Sequence, residues 1–483
     1  MGALDDIRDI LRGALASLGG FGGRMIARLM LMLVAGQLYG AAPLGLLGQV
    51  AAIVEILAAV AVLGLRRSLL DMLSADGVHV ASTVKEALVS SLMMAAAMSL
   101  VLSLAWPYLF SATAMPPILY GAIPCIVFAE VAGTAIRFKR IIRWEVIARC
   151  VMEPWVFLAA ALIYHFVLKD PAGLLSAYAF SAIAAAAGIA IGLSQSIGLS
   201  ALLRAPFRWR ALYLIPRKSL PVGITDIGVM MFRRLDVLLL SLVAGHQVTG
   251  IYYMAQQIVT VPHKIHQLFE PMMSPVVAKL HHAARRDLIG RKLEGICRWV
   301  FTLQLAVTTP LIMFAADILT LFGAQFAAGG LVLALLLAAE LIDGSFALVE
   351  TPLIFAKPSL PPKLVVLTLV LEMPAVLLLA YGGGAAGAAM GFLIAMAGLA
   401  AMRLIMLRRH LGIGVLGKGF LPPIIFGAAV AGLLALYQIM VPASVAIHFG
   451  VAVMASIAFY LLLVRLMALT PDDRSILEQL RAR

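Results

Sequence analysis

An all-α, polytopic integral membrane protein of about fourteen transmembrane helices is predicted by three observations. Of 483 residues, 63% are hydrophobic and only 13% charged, against about 45–50% and about 25% in soluble domains. The apolar residues come in continuous runs of about twenty, which cross a bilayer as helices, and not in the ten-residue alternation of a membrane β-barrel. The charges, finally, collect in short connections on one side of those runs.

Taken in order, the first span (15–38) follows an acid-bearing N-terminus, and the second (44–65) is closed by Arg66 and Arg67. The third (86–109) opens after Lys85, the fourth (117–136) lies between a proline pair and Arg137, the fifth (147–168) ends at Lys169, and the sixth (173–201) runs on toward Arg204. The basic stretch RAPFRWRALYLIPRK precedes the seventh (219–243), and the eighth (248–277) stops before Lys279. The remainder lie at 299–320, 328–354, 363–381, 385–406, 419–440 and 444–467, with Gly382–Gly384 separating the eleventh from the twelfth. This gives an N-terminal lobe (1–203), a C-terminal lobe (204–412), and two further helices with a tail (413–483).

Lysine and arginine placement sets the orientation. Of the 37, 31 lie on the side that holds both termini and the connections after even-numbered spans. The opposite side has only Lys169. The positive-inside rule makes the first side cytoplasmic. Ile7, Ile10, Leu11 and Leu15 against Asp5, Asp6, Asp9 and Arg12 fit a short amphipathic helix on the membrane surface, and no signal-peptide cleavage pattern follows.

Several function classes are excluded. The net charge of +13 sits in loops between apolar spans, so nucleic acid is not the expected partner. Cys125, Cys150 and Cys297 read as free thiols. No P-loop, no acidic loop for a sugar nucleotide and no long connection is present, so no soluble active site is expected and the chain is read as a non-enzyme without a cofactor. His263 with His266, or His281 with His282, lacks a third ligand at a fitting spacing; these read as loop histidines, with no metal expected.

An internal repeat points to a transporter. LVAG at 33–36 recurs at 242–245, and a gapless alignment of the two places Arg24 on Arg233. LFSATAMPPILYGAIPCIVFAE, ending at Glu130, is echoed by LFGAQFAAGGLVLALLLAAE, ending at Glu340. Six spans separate each pair, an even number, so the halves share one topology, as parallel transporter repeats do.

Charges inside the spans mark the expected site, since an ionised group in hydrocarbon normally faces a cavity or a partner. Arg24 and Arg28 lie one turn apart on the first span, Arg233 and Arg234 on the seventh, and Lys264 on the eighth. Asp226, Arg233 and Asp236 share one stripe, which leaves Arg234 without an evident partner. Tyr252, Tyr253, Gln256, His263 and Gln267 form a polar stripe on the eighth span, which Pro262 and Pro271 are expected to bend. Glu55, Asp226, Asp236, Asp343 and Glu372 are the carboxylates placed to couple transport to H+ or Na+. Five cations make a pocket for an anion; arginine forks suit pyrophosphate oxygens, Lys264 adds a point charge, and the tyrosines and amides suit sugars.

LMLVAGQLYGAAPLGLLGQVAAIV with GLRRSL, and the long segment from KSLPVGITDIGVMMFRRLD to PMMSPVVAKL, resemble the polysaccharide flippases of the multidrug, oligosaccharidyl-lipid and polysaccharide exporter superfamily. Pro221, Arg234, Asp236, Gly250, Tyr252 and Pro275 carry the most specific part of the likeness. The resemblance implies two six-helix lobes around a central cavity, two added C-terminal helices, and alternating access. It implies translocation of a polyprenyl-pyrophosphate-linked oligosaccharide to the outer leaflet of the bacterial cytoplasmic membrane, driven by an ion gradient or the membrane potential. Arg24, Arg28, Arg233, Arg234 and Lys264 match the family's cavity cations by helix and character; membrane lipids and a polysaccharide polymerase are the partner classes it leaves open. A cation-coupled multidrug exporter of the same fold is the alternative, and a membrane-embedded glycan polymerase or ligase a more distant one.

Overall fold

The computed structural model describes residues 23–75, 79–110, 114–141, 143–170, 172–283, 285–441 and 444–467. Every regular element among them is helical. The amphipathic N-terminal segment lies outside the described residues, as does most of the C-terminal tail.

Over its described residues, each predicted span falls on a helix. These are α1 (23–39), α2 (Ala41–Val62), α3 (Val80–Leu109), α4 (Ala122–Phe138), α5 (Arg143–Leu168), α6 (Gly173–Ser196), α7 (211–244), α8 (246–282), α9 (Arg286–Met313), α10 (Gly330–Phe346), α11 (360–383), α12 (385–411), α13 (Leu421–Met440) and α14 (Val445–Met467). Glycines set the two breaks that divide longer helical runs. Gly245 (φ 75°) separates α7 from α8, and Gly384 (φ 55°) separates α11 from α12, both in backbone conformations that disfavour a side chain. Helical dihedrals run through Pro262 and Pro271, so neither proline breaks α8, and the one non-helical residue of the run is Gly245. The neighbouring-helix carbonyls and side chains available in a bundle make such prolines tolerable.

The chain divides into two compact units, residues 1–238 and 239–483. In the first, α6 packs on α4 and α5, and α4 packs on α2 and α3. Helix α2 ends in a left-handed pair, Leu63 (φ 46°) and Gly64 (φ 75°). A short helix, Leu65–Ser74, follows, burying Leu65, Leu69 and Leu73 and exposing Arg66, Arg67 and Asp71, which suits the bilayer surface. The basic connection after α6 is tied to the start of α3. Glu86, buried, accepts from Arg208 Nε (2.9 Å), Nη2 (3.1 Å) and backbone N–H (3.2 Å), while Lys85 Nζ donates to the Leu203 and Ala205 carbonyls. The hydrogen bonds with Glu86 hold the Arg208 guanidinium above the usual arginine pKa.

Gly64 also allows α2 to meet α7. A Cβ there would strike the Gly223 backbone nitrogen and lie 2.8 Å from the Val222 carbonyl carbon, and a Cβ on Gly223 would lie 2.7 Å from the Leu63 carbonyl carbon. Gly64→Ala is therefore expected to destabilise by about 1–3 kcal/mol through overpacking, with about 1–2 kcal/mol added by the left-handed backbone. Thermal unfolding in detergent, followed by tryptophan fluorescence, checks this; an unchanged midpoint would contradict the close approach.

In the second unit, α9 packs on α10, α13 and α14, and α10 packs on the α11–α12 run. Its apolar core joins Leu293, Cys297 and Val300 of α9 to Leu348, Leu353, Leu407 and Phe420. The two last helices are fastened to it by polar contacts. Gln438 Nε2 of α13 donates to the Met313 carbonyl (2.7 Å), and His448 Nδ1 of α14 lies 2.9 Å from Asp317 Oδ2. All three cysteines are free thiols.

Candidate functional site

The first unit assembles a ladder of charges from five helices that the sequence lists separately. Helix α1 runs beside α5: the charge of Arg24 reaches Cys150 and Glu153, while at the other ends Tyr39 donates to the Ala161 carbonyl at 2.7 Å. Helix α2 runs antiparallel to α7, with Gly64 against Gly223 and Glu55 against Arg234. At about 1.5 Å per residue, the second contact lies roughly 15 Å deeper than the first, half of a hydrocarbon core about 30 Å thick.

Arg137 and Glu145 pair at the mouth of the ladder, on the side with the basic loops. One turn further in, Arg149 bonds Glu130 at 2.9 Å and approaches Glu145 at 3.9 Å. Deeper still, Glu153 feels Arg24 and Arg149 together with the negative charges of Glu55 and Glu130. Arg234 Nε donates to Glu55 Oε2 at 2.7 Å. Four arginines, at 24, 137, 149 and 234, are thus interleaved with four glutamates, at 55, 130, 145 and 153. Arginine–carboxylate pairs of this kind can exchange a carboxylate for a phosphate with the same fork geometry.

The remaining sequence-selected residues of this unit take distinct places. Arg28 is half-buried, one turn above Arg24 on the same helix, beside the buried Ala27 and Leu31. Arg233 is exposed. Asp226 lies 3.5 Å from Arg67. Asp236 is fully buried, and its carboxylate accepts from the Val237 backbone N–H at 2.8 Å. The structure supplies the partner that the sequence did not give Arg234, because Glu55 sits 179 positions away and is brought close only by packing α2 on α7.

In the second unit, Tyr252 and Tyr253 are buried and Gln256 is half-buried. Lys264 Nζ donates to Gln267 Oε1 (2.7 Å), and Gln267 Nε2 lies 3.1 Å from His263 Nε2. His263 and His266 are helical residues of α8, not loop residues, and Glu340 of α10 stands 2.9 Å from His263 Nδ1. Asp343 of α10 and Glu350 are both held by Arg403 of α12, at 2.6 and 2.9 Å. Glu372 on α11 is completely buried.

Arg149 and Arg403 were not selected by the sequence, although each lies just inside the cytoplasmic-side end of a predicted span, 147–168 and 385–406. Their signal lay in spacing: Arg149 stands four residues after Glu145 and four before Glu153, one face of a helix, whereas Arg403 has no acidic neighbour on its own helix and only the fold reveals its role.

No protein-family model matches the sequence, and no curated protein matches it significantly. Solved structures do match. A lipid II flippase, MurJ, in an inward closed conformation superposes with a TM-score of 0.72 at 12% identity, covering 94% of this chain and 99% of its own. An inward-facing multidrug resistance MATE family transporter of the MOP superfamily gives 0.60 at 14% identity, covering 84% of this chain and 95% of its own. A MATE protein in complex with MaD5 gives 0.52 at 15% identity, covering 86% and 94%. The chain therefore shares its fold with these MurJ and MATE structures, and is a multi-pass membrane protein.

Proposed function

We propose that this chain is a flippase that moves a polyprenyl-pyrophosphate-linked oligosaccharide from the cytoplasmic to the outer leaflet by alternating access, for cell-surface polysaccharide synthesis of the exopolysaccharide or O-antigen kind. The observation that carries the reading is the arginine pair on α1: Arg24 and Arg28 share one face of an otherwise apolar helix and both are half-buried. Their guanidinium forks, with Glu153 beside Arg24, can exchange a carboxylate for a phosphate as Arg234 can. Arg233 and Arg234, on the same unit, add to the pyrophosphate-binding set, and Arg234 exchanges Glu55 for the substrate. Asp236 and Glu372, both fully buried, are the carboxylates retained for coupling to H+ or Na+. The cytoplasmic membrane, with both termini inside, is the location that fits the loop charges.

A second reading, a cation-coupled multidrug exporter, is favoured by the glutamates of the ladder, which match its arginines one for one. Native mass spectrometry in mild detergent separates the two. A copurifying polyprenyl-pyrophosphate glycan, lost from Arg24→Ala, is expected and weighs the sugar unit directly. Retained organic cations with no such lipid would replace the flippase by the exporter.

A further inference from the structure

Neither reading uses the side chains that converge midway along α8, α9 and α10. His263 and His266, one turn apart on α8, face Glu340 of α10. His263 Nδ1 is 2.9 Å from one carboxylate oxygen and His266 Nδ1 is 3.6 Å from the other, and one ligand atom from each of the three residues lies within 4.8 Å of the others. His266 is 7% exposed and Glu340 9%. His266 Nδ1 is buried and makes no hydrogen bond, 3.6 Å being too long for one. A buried imidazole nitrogen aimed at a carboxylate without bonding it needs something between the two.

We propose that His263, His266 and Glu340 bind a divalent transition-metal ion of the zinc class. Zinc holds imidazole nitrogen and carboxylate oxygen at about 2.0–2.2 Å, which in a tetrahedron separates neighbouring donors by about 3.4 Å. The observed separations of 2.9 and 3.6 Å bracket that value. Two nitrogens and one oxygen suit zinc and its first-row neighbours, not magnesium or calcium, which take oxygen. Outer groups already orient the set. Gln304 Nε2 of α9 lies 3.3 Å from Glu340 Oε1 and is itself fixed by Ser345 Oγ, which donates to Gln304 Oε1 at 3.1 Å; Gln267 touches His263 Nε2. Such partners tune metal affinity.

Metal loading also reaches Lys264. In the structure His263 Nδ1 faces Glu340 while Gln267 Nε2 points at His263 Nε2 and Gln267 Oε1 accepts from Lys264. With the metal on Nδ1, the ring keeps its remaining proton on Nε2. Gln267 then turns its carbonyl to that N–H, and its NH2 group toward Lys264 no longer accepts. The metal thereby redirects Lys264.

The test reads the metal, so it stands whether or not the chain moves a glycan. The full chain, purified in detergent without a histidine tag, is stripped with chelator, reloaded with Zn2+ or Co2+, desalted and assayed by elemental analysis and visible spectroscopy. One zinc per chain and tetrahedral Co2+ d–d bands are expected. His266→Ala and Glu340→Gln lose both, Gln304→Ala weakens binding about 10- to 100-fold, and His410→Ala, elsewhere on α12, leaves both in place. His266→Asn and His263→Gln, which keep the shape of the site, guard against a variant that fails to fold, and a monodisperse elution profile checks folding. A wild-type chain that retains no zinc and shows no Co2+ bands overturns the site, as does stoichiometric metal in the folded His266 and Glu340 variants.

Discussion

Exchanging Glu55 and Arg234, so that arginine stands on α2 and glutamate on α7, is expected to restore folding but not translocation. The single variant Arg234→Ala is ambiguous by itself. It removes a proposed ligand of pyrophosphate, but it also strips Glu55, half-buried in the helix packing, of the donor 2.7 Å away. The exchange keeps one positive and one negative group at the same contact, so the unfolding midpoint should return near the wild-type value. The guanidinium then enters from α2, the opposite wall of the contact, and cannot meet a phosphate in the original geometry. A charge-assisted bond is worth about 1.5–3 kcal/mol, equal to about 10- to 150-fold. Transport of lipid-linked oligosaccharide into proteoliposomes should stay lower by that factor in the exchanged protein, and should fall as far in Arg24→Ala. Recovery of transport by the exchange would make Arg234 a packing partner of Glu55 and nothing more.

The contrast between what the sequence revealed and what it hid follows from the range of the forces involved. Helices are local: continuous apolar runs closed by Arg66–Arg67, Lys169 or Gly382–Gly384 mark their ends, and the structure places a helix on each run. The loop after α1 was harder. Aligning the LVAG segments puts Arg24 on Arg233, but residues 35–39 form a wide π turn that carries α1 onward, and the left-handed glycine falls at Gly40 (φ 90°), not Gly36. Aligning Gly40 with Gly245, the two turn glycines, moves Arg28 onto Arg233, one helical turn from the sequence alignment. The Glu130 and Glu340 segments agree better, each opening with a 3-10 turn before its helix, Pro117–Gly121 and Ala324–Gly329. Ion pairs were the least legible. Arg234–Glu55, His263–Glu340 and Arg403–Asp343 join residues 179, 77 and 60 positions apart. No periodicity within one helix encodes which face of a distant helix it will meet.

Arg403→Leu should be the most destabilising single change in the second unit, by about 3–5 kcal/mol. Arg403 is 8% exposed and its two terminal nitrogens serve different carboxylates, Nη1 on Asp343 of α10 and Nη2 on Glu350 beyond the 3-10 turn Ala347–Val349. It thus fastens α12 across the point where α10 gives way to the next helix. Leucine leaves both carboxylates in a low-dielectric site without their donor. Lysine keeps the charge but cannot fork to two acceptors at once, so Arg403→Lys should fall between wild type and leucine. The decisive comparison is the triple variant Arg403→Leu, Asp343→Asn, Glu350→Gln. If uncompensated charge is the cause, neutralising both acids recovers most of the lost stability, since a buried ion pair replaced as a unit is often nearly neutral in free energy. If the triple variant unfolds as readily as Arg403→Leu in denaturant titrations in detergent micelles, the damage comes from lost packing along the arginine stem, and the ion-pair account of this junction is wrong.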